Sequence, residues 1–271
     1  MLLREVEYAR PSTVDEAVAL LGAHDGARAL AGGQTLVNVM KARAASPDVL
    51  VDLNRLDDLR AVSVHRDALV LGAMATYTQI MESAEVEVSR PILAEVAAQI
   101  ADVQVRNRGT IGGNVCSNDP TNHLPPLLAA LGASFTIRGA GGERTVPAED
   151  FFLGVYLTAV GEGELLTSIS VPAAAHAADG FAAITLGADG TCIANAAATL
   201  HGGETRIALG CVDAVPVVLR PADTDDESIR AAVEQAGLEP PGDVHASADY
   251  RRHLAAVCAV RAARQASERG R

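Results

Sequence analysis

A chain of 271 residues with 49% hydrophobic content is long enough to bury a core and to divide into one or two domains. Its 22 basic and 34 acidic residues leave a formal charge of −12, which argues against nucleic acid or an anionic membrane as a partner, because phosphate surfaces reward clustered Lys and Arg. The start lacks a signal peptide's basic segment and long apolar run, the apolar stretch Leu124 to Ala133 is too short to span a bilayer, and the cysteines form no C-x-x-C pair, so a cytoplasmic protein with free thiols and no metal site of its own is expected.

The first helix is signalled by Thr13 and Glu16 as a capping box, by Val14, Ala17, Val18 and Leu21 on one face, and by Gly22 as its end. A strand at Arg28 to Ala31 runs into Gly32-Gly33, a second helix covers Leu36 to Ala44, and a second strand Val49 to Val51. That alternation predicts a small α/β unit with a parallel sheet. The pattern then changes. Val62 to His65 and Leu69 to Leu71, separated by Arg66-Asp67, predict an antiparallel hairpin. Helices follow at Tyr77 to Ser83 and Ile92 to Ala101, then a glycine-rich turn at Gly109 to Gly113 and a helix around Leu127 to Leu131. Ser134 to Ile137 and Arg144 to Val146 form another hairpin, and Leu165 to Val171 a strand stopped by Pro172. The unpatterned stretch Ala173 to Gly180 suggests a domain boundary. Beyond it, segments at Ile184, Ala194 to Leu200, Ile207 to Leu209 and Val215 to Val218 predict a short antiparallel sheet, closed by helices around Glu227 to Ala236 and Ala248 to Ala266.

Two loops carry the chemistry: Ala31-Gly32-Gly33-Gln34-Thr35 and Thr110-Ile111-Gly112-Gly113-Asn114. A diphosphate needs backbone that can approach without a Cβ clash and successive N–H groups aimed at one anion, helped by the positive end of a following helix. Either loop alone reads more readily as a tight turn. Neither fits G-x-G-x-x-G or the P-loop pattern, yet two such loops together point to a dinucleotide.

Leu30-Ala31-Gly32-Gly33-Gln34-Thr35-Leu36 with Met40-Lys41, and Arg106-Asn107-Arg108-Gly109-Thr110-Ile111-Gly112-Gly113-Asn114 with Asp119-Pro120 and Leu124-Pro125, resemble the two FAD loops of the molybdopterin dehydrogenase flavin subunits, such as those of carbon monoxide and xanthine dehydrogenases. Further similarities at Glu164-Leu165-Leu166, Arg206 to Gly210, and Ser247 with Tyr250-Arg251-Arg252 extend the resemblance over nearly the whole chain. It implies an α+β protein in which residues 1–172 form a two-subdomain FAD-binding region, a small α/β unit plus an antiparallel sheet with helices, and residues 180–271 a small C-terminal α+β domain. By that match residues 31 to 35 and 110 to 114 contact the diphosphate and ribityl of FAD, Ser117 lies near the flavin, the backbone at Leu165 and Leu166 meets the adenine side, and His123 stands close to the adenosine where relatives carry an acidic residue. The implied role is electron transfer: a large molybdenum-cofactor subunit oxidises the substrate, a small iron–sulfur subunit relays electrons, and FAD on this chain delivers them to an acceptor. The alternative is a stand-alone FAD-dependent oxidoreductase of the same fold. It is favoured by Ala183 and Gly187, which stand where many relatives carry a Lys and an Arg near the isoalloxazine. For His123 a solvent-exposed helix start is an equal alternative. Cys116 reads as a small buried residue rather than a nucleophile, Asp119 as the start of a turn, and the helix carrying Tyr250, Arg251, Arg252 and Leu254 as a docking surface or an amphipathic helix on its own sheet.

Overall fold

The computed structural model describes residues 3–174, 178–187 and 190–270. Its first unit is β1 (Glu7–Ala9), α1 (Val14–Ala23), β2 (Ala27–Leu30), α2 (Leu36–Lys41) and β3 (Val49–Asp52), with the strands in the order β1-β3-β2 and all parallel. Ala17, Val18 and Leu21 of α1 are buried as their spacing requires. Thr13 caps Glu16 N, but the return arm of the capping box is displaced by one residue: the Glu16 carboxylate accepts from the N–H and hydroxyl of Ser12. Gly22 lies inside the last turn instead of ending it. The second helix stops at Lys41, short of Ala44, because Arg43 takes the left-handed region at φ 64°.

The second unit contains β4 (Val62–His65), β5 (Ala68–Gly72), α3 (Tyr77–Glu82), α4 (Ala84–Ser89), α5 (Ile92–Ala97), α6 (Val103–Arg108), α7 (Ile111–Ser117) and α8 (Leu124–Ala130). It continues with β6 (Ser134–Gly139), β7 (Gly142–Pro147), α9 (Ala148–Phe151), the two short strands β8 (Phe152–Gly154) and β9 (Leu157–Thr158), and β10 (Leu165–Pro172). Its sheet runs β4-β5-β10-β6-β7 and is antiparallel throughout. Both predicted hairpins are present. The glycine-rich turn is not a free turn: Thr110 caps α7 by accepting from Gly113 N, and residues 111–113 are the first turn of that helix. Phe135 stacks on Phe151 at a centroid distance of 3.9 Å, with Phe152 edge-on to both, beneath the helices.

The third unit is a meander of β11 (Ala178–Thr185), β12 (Cys192–His201), β13 (Glu204–Gly210) and β14 (Val217–Leu219), covered by α10 (Asp226–Gln235) and α11 (Ala248–Arg269). Small residues let helix and sheet approach closely: Ala255, Ala259, Ala262, Ala263 and Ala266 line the buried face of α11. A Cβ on Gly180 would stand 2.0 Å from the Ala262 carbonyl oxygen. Of the stretch expected to be a boundary, residues 175–177 lie outside those described, and β11 already starts at Ala178. Arg251 and Leu254 are buried, with Arg251 donating to the Ile193 carbonyl at 2.8 Å and paired with Asp243 at 2.6 Å. The last helix therefore packs on its own sheet, leaving Tyr250 exposed.

The third unit rests on the second through Phe181, Ala197 and Ala208, which share a core with Leu127, Leu128 and Phe135. No helix among the described residues is long and apolar enough to cross a membrane.

Candidate functional site

The three parallel strands end on one edge, and at the carboxyl ends of such strands loops of α/β units bind ligands. There β2 delivers Ala31 to Thr35. Gly33 sits at φ +73°, a conformation that costs a Cβ-bearing residue about 1–2 kcal/mol. Side-chain amides tie back the loop carbonyls: Asn54 Nδ2 donates to Ala31 O at 3.1 Å, Gln34 Nε2 to Gly32 O at 3.1 Å, and Asn38 Nδ2 to Gln34 O at 2.7 Å. The N–H groups of Gly33, Gln34 and Thr35 meet no acceptor among the described residues. Ala31 to Gln34 line a cavity of about 440 Å³ together with Tyr8, Asp52, Asn54, Lys41 and Arg108. Lys41 and Arg108 pair with no carboxylate among the described residues and supply positive charge that the chain as a whole lacks.

Asp52 anchors this edge. It accepts from the Tyr8 hydroxyl, from Asn54 N at 2.9 Å and from Asn54 Nδ2 at 2.6 Å, and lies 3.6 Å from Arg10. Burial works to raise the Asp52 carboxyl, but the Tyr8 and Asn54 donors and the Arg10 charge outweigh it and hold it below the usual carboxylate range. Sequence reasoning missed Tyr8, Asp52 and Asn54. The signal for Asp52 and Asn54 was their position at and just past the end of the parallel strand β3, beside which Tyr8 lies on β1. Removing the Asn54 amide should loosen the first loop by about one hydrogen bond, ~1 kcal/mol. Asn54→Ala is thus expected to weaken FAD binding roughly fivefold with an unchanged circular dichroism spectrum, read by calorimetric titration. Unchanged affinity would mean that the loop needs no such brace.

The second loop packs directly on the first. A Cβ on Gly32 would lie 2.0 Å from the Arg108 carbonyl oxygen, and one on Gly113 would be 3.8 Å from Ala31 Cβ. Its N–H groups, however, are already engaged: Ile111 donates to Ala75 O, Gly112 to Ala73 O, Gly113 to the Thr110 hydroxyl and Asn114 to Thr110 O. The segment runs antiparallel to residues 73–77 before it coils, and that pairing takes donors which an isolated loop would present to an anion. What α7 offers instead is a half-exposed face of Gly113 and Ser117, four residues apart, and Asn114, whose Oδ1 is buried with no hydrogen-bond partner. Beside it, burial pushes the Tyr77 phenol up to about 12, partly opposed by the Asn114 amide.

Leu165 packs in the same core as Ala29 and Ala31, whereas Leu166 belongs to the core of the second unit. His123 is not solvent-exposed. It is 8% exposed, tilted against Phe181 at 5.3 Å, and its Nδ1 lies 3.4 Å from Asn195 Nδ2, so it faces the C-terminal sheet. Burial pushes the Cys116 thiol up to about 12, which suits a packed side chain rather than a nucleophile. Asp119 organises a turn, accepting from Thr121 N and Oγ1. Ala183 is half-buried and Gly187 exposed, so neither position brings a cation.

These features fit FAD: a crowded glycine seam, free N–H groups, unpaired cations and an orphaned amide oxygen on the facing helix. Residues 4–174 match the family described as the FAD binding domain in molybdopterin dehydrogenase. The chain is 37% identical over 279 residues to the carbon monoxide dehydrogenase medium chain of Hydrogenophaga pseudoflava, covering 97% of each. It is 32% identical to the glyceraldehyde dehydrogenase medium chain of Sulfolobus acidocaldarius, covering 95% of this chain and 97% of that one. Among solved structures, the Hydrogenophaga pseudoflava carbon monoxide dehydrogenase lacking the Mo-pyranopterin moiety superposes with a TM-score of 0.93 at 37% identity and 99% coverage of both chains. Quinoline 2-oxidoreductase from Pseudomonas putida 86 superposes with a TM-score of 0.91 at 32% identity and full coverage of both.

Proposed function

The chain belongs to the FAD-binding medium subunits of the molybdopterin dehydrogenase family, and from that membership we propose that it carries electrons from iron–sulfur clusters on a small partner subunit to an external acceptor, while a large molybdenum-cofactor subunit oxidises the substrate. It is an oxidoreductase subunit with FAD as its cofactor. The single observation that carries the reading is that the match spans essentially the whole of dedicated medium chains, with the two glycine loops in contact within it.

In this reading residues 1–172 hold FAD and residues 180–271 form the C-terminal domain. The free N–H groups of Gly33, Gln34 and Thr35 take the diphosphate, with Lys41 and Arg108 offsetting its charge. Ala31 and Gly32 give the close backbone approach. Thr110, Ile111 and Gly112 fix the start of α7 against residues 73–77. Gly113, Asn114 and Ser117 face the ribityl and flavin, Asn114 Oδ1 serving as an acceptor. Leu165 and Leu166 border the adenine side, with His123 further along towards the C-terminal sheet. Bound flavin can accept electrons singly and release them in pairs, and the protein's part is to bind it, orient it and set its surroundings.

Titrating the apo chain with FAD and with FMN tests the two-part site. FAD should bind at least about tenfold more tightly, the equivalent of ~1.4 kcal/mol from the adenosine half. Equal affinities would contradict a site that grips both ends of the dinucleotide.

A further inference from the structure

The β8–β9 hairpin turns apolar side chains to solvent. Leu153 is 56% exposed, Val155 49%, Tyr156 64% and Leu157 56%, whereas the other exposed large apolar residues among those described stand singly along the chain. Residues 151–161 carry no charge, in a chain of which 21% of the residues are charged. A lone exposed apolar residue needs no explanation, but several on one turn mark an interaction surface.

The tip is held in place from its base. Phe152 and Thr158 pair across the hairpin and are buried. Asn118, itself buried, donates through Nδ2 to Gly154 O at 2.7 Å and to Leu157 O at 3.4 Å, and its carbonyl accepts from Tyr156 N at 3.1 Å. The Tyr156 hydroxyl donates to Asp119 Oδ2 at 3.3 Å. Tyr156 and Asn118 both occupy left-handed backbone, at φ 57° and 38°. Strain of that kind persists only where the surroundings enforce it, and it collects at functional surfaces. Asn118 caps α7 immediately after Ser117, so the exposed tip is fixed to the end of the helix that, in the reading above, faces the flavin.

We propose that this hairpin is the docking element for the small iron–sulfur subunit, an inference that rests on the electron-transfer reading. Interfaces between permanent subunits are more apolar than transient ones, whereas an acceptor met at each turnover is steered by charge, which the tip lacks. Of the two permanent partners, the one that hands electrons to the flavin must sit against the flavin's surroundings, because electron transfer falls off steeply with distance. The border of the tip is acidic. Asp119 accepts from Tyr156 and Asp150 stands exposed just before β8, and neither forms an ion pair among the described residues. The complementary surface is therefore an uncharged apolar depression bordered by Lys or Arg.

The test uses the full chain with FAD bound, together with purified small and large subunits. Leu153→Ser combined with Leu157→Ser should leave FAD affinity and the thermal midpoint of the free chain as in the wild type, since both side chains are solvent-exposed. Its affinity for the small subunit should fall by at least about thirtyfold, the size of an interface hot spot. Independently, a photo-reactive benzophenone side chain at position 155 of the assembled complex should cross-link to the small subunit, as read by mass spectrometry. A cross-link to the large subunit or to a second copy of this chain would overturn the proposal. So would an assembled complex in which position 155 cross-links to nothing, or a double variant that binds the small subunit as the wild type does. In those cases the complex still forms and the electron-transfer reading survives. If the wild-type chain forms no complex at all, both fall together.

Discussion

Gly32→Ala is expected to lower FAD affinity at least about a hundredfold, equivalent to ~2.7 kcal/mol. The added Cβ would stand 2.0 Å from the Arg108 carbonyl oxygen, 2.7 Å from its carbonyl carbon and 3.0 Å from Gly109 Cα. All three are backbone atoms, so no rotamer change relieves the clash, and the two loops must separate. Overpacking of this kind typically costs about 1–3 kcal/mol in stability. Here the strain falls on the seam between the first loop and the Arg108–Gly109 backbone, beside the cavity that Gly33 and Gln34 line. Gly33→Ala should be milder, because its Cβ meets the movable Val37 Cγ2 at 3.3 Å and the cost is mainly the left-handed backbone. Gly141→Ala, with no atom within 4 Å, is the control and should bind FAD as the native chain does. Calorimetric titration of the three variants should rank them in that order. Native affinity in Gly32→Ala would show that loop contact is not needed for the cofactor.

The second large effect concerns the junction of the second and third units. Arg90, after α4, pairs with Asp179 on β11 through two 2.7 Å hydrogen bonds, both side chains being under a tenth exposed. Arg90 Nε also donates to Pro172 O at 2.8 Å, and Arg269 donates to Asp179 O at 3.2 Å. Asp179→Ala leaves the guanidinium buried without its counter-charge, which costs about 3–5 kcal/mol. At roughly 2–4 °C per kcal/mol for a chain of this size, the thermal midpoint should fall by on the order of 10 °C. Replacing both partners, as in Arg90→Met with Asp179→Leu, should recover much of the loss, because a well-packed apolar pair avoids the desolvation cost. If Asp179→Ala melts with the wild type, the pair contributes nothing to the junction.

Much of this architecture is legible in the chain. The α1 stripe, both hairpins, the C-terminal meander and the two glycine loops follow from local pattern and turn chemistry, which tertiary contacts here reinforce. The short helices α4 and α6 escape a periodicity reading because neither carries an apolar stripe: α6 buries none of its residues and α4 only Val86 and Ser89. Their caps, Ser83 and Asp102, were the available signal. The engagement of the α7 donors was not legible, since it depends on pairing with residues 73–77, more than thirty positions earlier. His123 illustrates the same limit. Its neighbours in sequence suggest a helix start, while its burial is decided by Phe181 and Asn195 on strands far along the chain.

The most direct test of the electron-transfer role is single-turnover reduction of the FAD-loaded chain alone against a panel of organic substrates, followed by flavin absorbance. No substrate should reduce it at an appreciable rate until iron–sulfur and molybdenum-cofactor subunits are supplied, whereupon the bleaching should become rapid. Fast reduction by one of the substrates, with no molybdenum or iron present, would contradict the subunit role and identify a self-sufficient flavoenzyme.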